Sequence, residues 1–99
     1  MNIKIKSIHF DADRKLESFI ETKVSKLEKY YDGIHSAEVY LRLDKNDAIG
    51  NKITEIKLDI PGVDVFAKKQ SKSFEESTAE VVDALKKQLL RDKAKYRNN

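Results

Sequence analysis

Residues 56–68 read IKLDIPGVDVFAK. Ile56, Leu58 and Ile60 alternate with Lys57 and Asp59, and Val63, Val65 and Ala67 alternate with Asp64, Phe66 and Lys68. Two period-two runs joined by Pro61-Gly62 predict antiparallel strands closed by a tight turn, each with one buried and one wet face. Upstream, AEVYLRL (37–43) alternates in the same way, with Ala37, Val39, Leu41 and Leu43 against Glu38, Tyr40 and Arg42. The polar stretch DKNDAIGNK (44–52) between them reads as a turn or flexible loop, so this pair is antiparallel too. Ile3 and Ile5, alternating with Lys4 and Lys6, predict a first strand.

The remaining segments change period. Leu16, Phe19, Ile20, Val24, Leu27 and Tyr31 recur at three- and four-residue spacing, which predicts an amphipathic helix of about five turns. Asp11 or Asp13 can cap its start, Gly33 suits a left-handed C-terminal cap, and Ile34 can close over the end. A longer helix starts near Ser71 or Ser73 and lines up Phe74, Thr78, Val81, Val82, Leu85, Leu89 and Tyr96. Ser73 with Glu76 matches a capping box, and Glu75, Glu76, Glu80 and Asp83 precede the bases, as the helix dipole prefers. The fold class is therefore α+β: two layers in the order β-α-β-β-β-α, a four-stranded sheet with two helices on one face.

A length of 99 residues allows one domain. The absence of cysteine excludes disulfides, thiolate catalysis and cysteine-based zinc sites, and points to a reducing, intracellular setting. The N-terminal stretch MNIKIKSIHFDAD has no continuous apolar run, so neither a signal peptide nor a membrane span is expected and the protein should be cytoplasmic. His9 and His35, the only imidazoles, lack metal-ligand spacing, and Gly33, Gly50 and Gly62 are too scattered for a phosphate-cradling loop. The carboxylates fall mostly on solvated faces. No enzyme activity, metal or cofactor is expected.

Charge is unevenly placed. The chain carries 20 basic and 17 acidic residues, yet between Lys86 and Arg97 stand six bases and only Asp92 as an acid. At about 100° per residue, Lys87, Arg91 and Lys95 lie opposite the apolar stripe of the last helix, flanked by Lys86, Lys93 and Arg97. Such a ridge can span several phosphates, or it can simply be a solvated helix end with favourable dipole charges. Lys68, Lys69 and Lys72 form a second cluster, and Lys23, Lys26 and Lys29 a third, on the first helix. Helices packed side by side would join these into one basic surface. Tyr40 and Phe66 fall on the non-core sheet face, where they can stack on bases, cover a thin sheet or meet a protein partner. Glu38, Asp59 and Asp64 on that face favour the last two, and the aromatic signature of the common single-stranded RNA module is absent.

The run VSKLEKYYDGI (24–34), the strand AEVYLRL (37–43) and FAKKQSKSFEESTAEVVDALKKQLLRDKAK (66–95) together resemble the ribosome hibernation-promoting factor and ribosome-associated inhibitor family, also labelled sigma-54 modulation proteins. The resemblance covers nearly the whole chain. It implies a fold similar to double-stranded RNA-binding domains. It further implies binding to the small ribosomal subunit and its ribosomal RNA, in the channel between head and body, where the protein competes with messenger RNA and transfer RNA and preserves idle ribosomes. Carried over by position, Lys87, Arg91, Lys93 and Lys95 match the family's basic helix positions and Lys23 and Lys26 those of the first helix, with Arg97 an addition. The other RNA-binding candidates are Lys86, Lys68, Lys69 and Lys72.

Two departures from the family pattern imply weaker binding: Ala84 stands where a lysine is frequent and Ala79 where an aspartate is frequent. The resemblance also implies a short form, one ribosome-binding domain over residues 1–99 without a C-terminal dimerisation domain, monomeric off the ribosome. Two other readings remain open from the residues: a protein-interaction module that modulates a transcription factor, and a general RNA chaperone.

Overall fold

The computed structural model describes residues 1–45 and 49–97, the last five of these as helix backbone. The alternating runs become β1 (Asn2–Ser7), β2 (Ser36–Leu43), β3 (Lys52–Ile60) and β4 (Val63–Ser71), and the helical runs become α1 (Arg14–Ser25) and α2 (Phe74–Arg97). The sheet order is β1-β2-β3-β4. β1 runs parallel to β2, with Ile3 level with Ala37 and Ile5 with Val39, while β2–β3 and β3–β4 are antiparallel. A parallel neighbour cannot be reached by a hairpin, so α1 is the crossover between β1 and β2. Both helices cover one sheet face, and Ile20, Val24, Leu27, Val39, Leu41, Ile56, Leu58, Val81, Leu85 and Leu89 form the core between the layers. The expected two-layer α+β fold is the observed one.

Three boundaries differ from the sequence reading. α1 is capped by Asp13, whose Oδ1 accepts from the Leu16 N–H at 2.8 Å, but its α-helical part ends at Ser25 and Lys26–Lys29 form a 3-10 turn. Val24, Leu27 and Tyr30 are spaced by three, and a 3-10 turn sets such residues in one line toward α2 and the core. The predicted five turns of α-helix are therefore shorter. Gly33 does take a left-handed conformation (φ +90°), but beyond the helix end, where it turns the chain into β2. β3 begins four residues before the apolar run because Thr54 occupies a core position, with none of its surface exposed. Its Oγ1 lies 2.6 Å from Ser77 Oγ and 3.4 Å from Thr78 Oγ1, so three buried hydroxyls satisfy one another between β3 and α2.

Ser73 caps α2 by accepting from the Glu76 N–H at 3.0 Å, and Phe74 in the first turn stacks on Phe10 with ring centres 5.1 Å apart. The chain direction alternates from β1 through each helix and strand, so α1 and α2 both run opposite to β1 and parallel to each other. They touch with an offset along the axis: Phe19 and Lys23, in the second half of α1, line one groove with Glu75 at the start of α2, and the Lys86 ammonium lies 4.8 Å from the Tyr30 ring centre.

The outer sheet face is uncovered by any described element and is polar. Across it Lys6, Tyr40, Glu55 and Lys68 stand in one row and Lys4, Glu38, Lys57 and Phe66 in the next. Glu55 is only 8% exposed, held by Arg42 Nη1 at 3.1 Å and more loosely by Lys68 Nζ at 4.0 Å. The Tyr40 hydroxyl donates to Glu38 Oε2 at 2.5 Å. That bond holds the Glu38 carboxyl below its ordinary pKa, with help from Lys57, Lys6 and Lys4, and raises the Tyr40 phenol.

Two outcomes are expected from this packing. Leu85→Ala, at a fully buried site, should lower unfolding free energy by about 2–5 kcal/mol in chemical denaturation. A depressed carboxylate contributes stability above its unfolded pKa and loses it as pH falls through the folded one; a raised phenol contributes below its unfolded pKa and loses it as pH rises through the folded one. Tyr40→Phe should therefore move the Glu38 carboxyl upward in a 13C NMR titration, and an unchanged Glu38 titration would show that the lysines alone set it.

Candidate nucleic-acid interface

The helices run parallel, and α1 with its 3-10 turn lies beside the stretch of α2 from Glu75 to Lys86. The first turn of α1 carries Arg14, Lys15 and Glu17 and that of α2 carries Glu75 and Glu76, with Lys23 beside Glu75; Lys26 and Lys29 of the 3-10 turn and Lys86, Lys87 and Arg91 of α2 stand further along. Acids at helix starts and bases at helix ends each match the local dipole. Side-by-side packing thus brings the 3-10 turn that ends α1 beside the middle of α2, where Lys86 stands.

On α2, Lys87 and Arg91 are exposed one turn apart. Together with Lys69 of β4 they line a cleft of about 490 Å3 whose other walls include Glu80, Asp83 and Gln88. Lys87 Nζ sits 3.1 Å from Asp83 Oδ2, a pair in open solvent that a phosphate can displace at little cost. Gln88 Nε2 donates to the Phe66 carbonyl at 3.2 Å and ties α2 to the edge strand. Ser71 Oγ donates to Glu80 Oε1 at 2.9 Å, which occupies that acid on the far side of the cleft.

The remaining candidates are distributed differently. Lys86 is half-buried over Tyr30, and Lys23 is half-buried with its ammonium 5.6 Å from the Phe19 ring centre, so part of each side chain is engaged in packing. Lys26 is exposed at the 3-10 turn. The grouping of Lys68, Lys69 and Lys72 does not hold as one patch: strand alternation turns Lys68 to the outer face beside Glu55, Lys69 faces the α2 cleft, and Lys72 precedes α2 at its acidic end. Lys93, Lys95 and Arg97 belong to the last two turns of α2, and their side chains lie outside the described residues. The Tyr96 position on the apolar stripe lies outside them as well.

Two side chains that shape these surfaces are given no role by the sequence reading. Glu55 follows the alternation of Lys57 and Asp59 one step further back, but only the strand's true start reveals it. Gln88 bonds across 22 residues to a backbone carbonyl, an interaction that leaves no local periodic signal. On the outer face, Phe66 is 51% exposed while the Tyr40 hydroxyl is engaged by Glu38. Among the described residues no three His, Asp or Glu side chains assemble into a metal-sized group, and no helix is long and apolar enough to cross a membrane.

Comparison with known proteins gives this arrangement a lineage. A ribosome hibernation promoting factor of Azotobacter vinelandii is 28% identical over 95 residues, covering 96% of this chain and 85% of its own. One of Salmonella typhimurium is 25% identical over 99 residues and covers both chains completely. Among solved structures, the N-terminal domain of Thermus thermophilus Protein Y superposes with a TM-score of 0.79 at 27% identity, over 92% of this chain and 98% of that one. A ribosomal subunit interface protein from Coxiella burnetii shares the fold at a TM-score of 0.84 and 21% identity, over 95% of this chain and 99% of that one. The family model described as sigma 54 modulation protein / S30EA ribosomal protein matches residues 3–97, and the chain belongs to that family.

Proposed function

We propose that this protein is a ribosome hibernation factor of the cytoplasm, a non-enzymatic inhibitor that silences idle ribosomes by occupancy. The observation that carries the reading is the end-to-end match to relatives named ribosome hibernation promoting factor, one of which aligns over every residue of both chains. The geometry supports a binding mode. α2 continues about 12 Å past Leu89, the last buried residue on that helix among the described side chains, and its basic positions precede and follow that point. A projecting rod with Lys87, Arg91, Lys93 and Lys95 enters a narrow RNA-walled space that a flat face cannot.

In this reading the basic end lies against ribosomal RNA of the small subunit, in the channel between head and body. Lys87 and Arg91 contact phosphates, Lys69 adds a third cation from β4, and Lys26 contributes from the first helix. Lys23 and Lys86 act at shorter reach because their side chains rest on aromatic rings. Recognition is by charge and shape, since phosphate contacts carry little sequence information. The bound domain leaves no room for messenger RNA or for the anticodon ends of transfer RNA. It acts as a monomer off the ribosome, and residues 1–99 suffice for binding.

The direct test is co-sedimentation with vacant ribosomes on a sucrose gradient, with and without prebound messenger and transfer RNA. Comigration that disappears on prebinding is expected; a protein that stays at the top of the gradient at low salt would overturn the reading and favour a protein partner. A second prediction concerns the ridge. The triple substitution Lys87→Ala, Arg91→Ala, Lys95→Ala should leave the folded circular dichroism spectrum intact and reduce the slope of log affinity against log salt by about one unit for each phosphate left without its cation. Wild-type affinity of that variant at physiological salt would remove the ridge from the interface.

A further inference from the structure

The two edges of the sheet are finished differently. At β4, the Phe66 carbonyl accepts from Gln88, and Lys87 and Arg91 of α2 line a cleft along the same edge with Lys69. At β1, the Asn2 N–H donates to the His35 carbonyl at 3.1 Å and the Ile8 N–H to the Leu41 carbonyl at 2.9 Å. These two bonds fix the phase of the parallel ladder, in which alternate residues bond to the neighbour. The backbones of Asn2, Lys4 and Lys6 therefore turn toward β2, and the N–H and C=O groups of Ile3, Ile5 and Ser7 turn outward. Among the described residues nothing pairs with that edge.

The side chains flanking the edge are also incompletely used. Ile3 and Ile5 point to the helix layer but are only half-buried, because β1 is the last strand. A groove of about 400 Å3 beside them is bounded by Met1 and Ile3 on one side and by Glu21, Thr22 and Ser25 of α1 on the other. On the outer face Lys4 and Lys6 are exposed and, among the described residues, form no ion pair; the Lys6 ammonium lies 5.9 Å from the Tyr40 ring centre.

We propose that the β1 edge is a strand-addition site for an extended segment of another protein in which apolar and acidic residues alternate. Its backbone would complete the outward groups of Ile3, Ile5 and Ser7, its apolar side chains would extend the Ile3–Ile5 row beneath α1, and its carboxylates would stand opposite Lys4 and Lys6. The same lysines disfavour a second copy of this chain: two β1 strands paired about a twofold axis would set lysine against lysine. The edge lies across the sheet from Lys69, while its groove adjoins Lys23 and Lys26 of the first helix and its 3-10 turn.

Hydrogen exchange followed by NMR on the full chain tests the proposal, with two acetylated and amidated heptapeptides as probes, Glu-Val-Glu-Val-Glu-Val-Glu and Lys-Val-Lys-Val-Lys-Val-Lys. The acidic peptide at millimolar concentration should slow exchange at the amides of Ile3, Ile5 and Ser7 and leave the already bonded Lys4 and Lys6 amides unchanged. It should bind roughly tenfold more tightly than the basic peptide, and the double substitution Lys4→Glu, Lys6→Glu should invert that preference. Ile3→Pro removes an outward N–H at an edge position where proline is tolerated, and should weaken peptide binding in a protein whose remaining amide spectrum is native. Equal binding of both peptides, protection confined to β4, or no protection at all would overturn the proposal. Protection of the same amides that grows with protein concentration in the absence of peptide would overturn it in favour of a second copy.

Discussion

The parallel pairing of β1 with β2 is the constraint from which the rest of the molecule follows. A parallel neighbour demands a crossover, and the crossover is α1, laid across the sheet face antiparallel to the strands it connects. Two antiparallel hairpin steps then return the chain to the direction of β1, and α2 must run back along α1 in the same sense. Parallel neighbouring helices have unfavourable dipole alignment, and here acids in the first turn of α2 and bases in the 3-10 turn that ends α1 each suit the local dipole. The basic surface is thus a product of topology as much as of composition.

The two sheet faces solve their polar content in different ways. Toward the helices, Thr54, Ser77 and Thr78 are fully buried and share a hydroxyl network, which fixes the lateral position of α2 on β3 more narrowly than apolar contact alone. Toward solvent, Glu55 is nearly as deeply covered, but by the side chains of its own sheet, with Arg42 as the close partner. Acids are interspersed with the cations on that face: Glu38, Glu55, Asp59 and Asp64 stand among Lys4, Lys6, Arg42, Lys57 and Lys68, and ion pairs engage Arg42 and Lys68.

Much of this is legible in the residues. Period-two runs locate all four strands, the Ser73 cap locates the start of α2, and the apolar stripe from Phe74 to Leu89 names most of the core on that helix. What stays hidden depends on interactions between distant segments. The early start of β3 rests on a threonine whose burial needs two α2 hydroxyls, and the 3-10 ending of α1 rests on packing of Leu27 and Tyr30 that local propensity does not encode. Consecutive lysines at positions 68 and 69 look like one cluster in a linear reading, yet a strand sends neighbours to opposite faces. The resemblance of residues 24–34 and 66–95 to hibernation factors points to the family without any geometry, whereas periodicity alone leaves the ridge undecided between binding and solvation.

The crowding of bases in the second half of α2 has a dynamic consequence. A body measuring 47 × 23 × 18 Å with six bases and one acid between residues 86 and 97 presents an uneven field for its small net charge of +3. In the field of a polyanion such a body experiences a torque before it touches the surface, and it arrives with its positive end leading. Orientation during approach raises the fraction of productive encounters and fades as added salt shortens the range of the field. Rate of capture and strength of grip are then separable properties: charges outside a contact act on the first, and charges within it act on both.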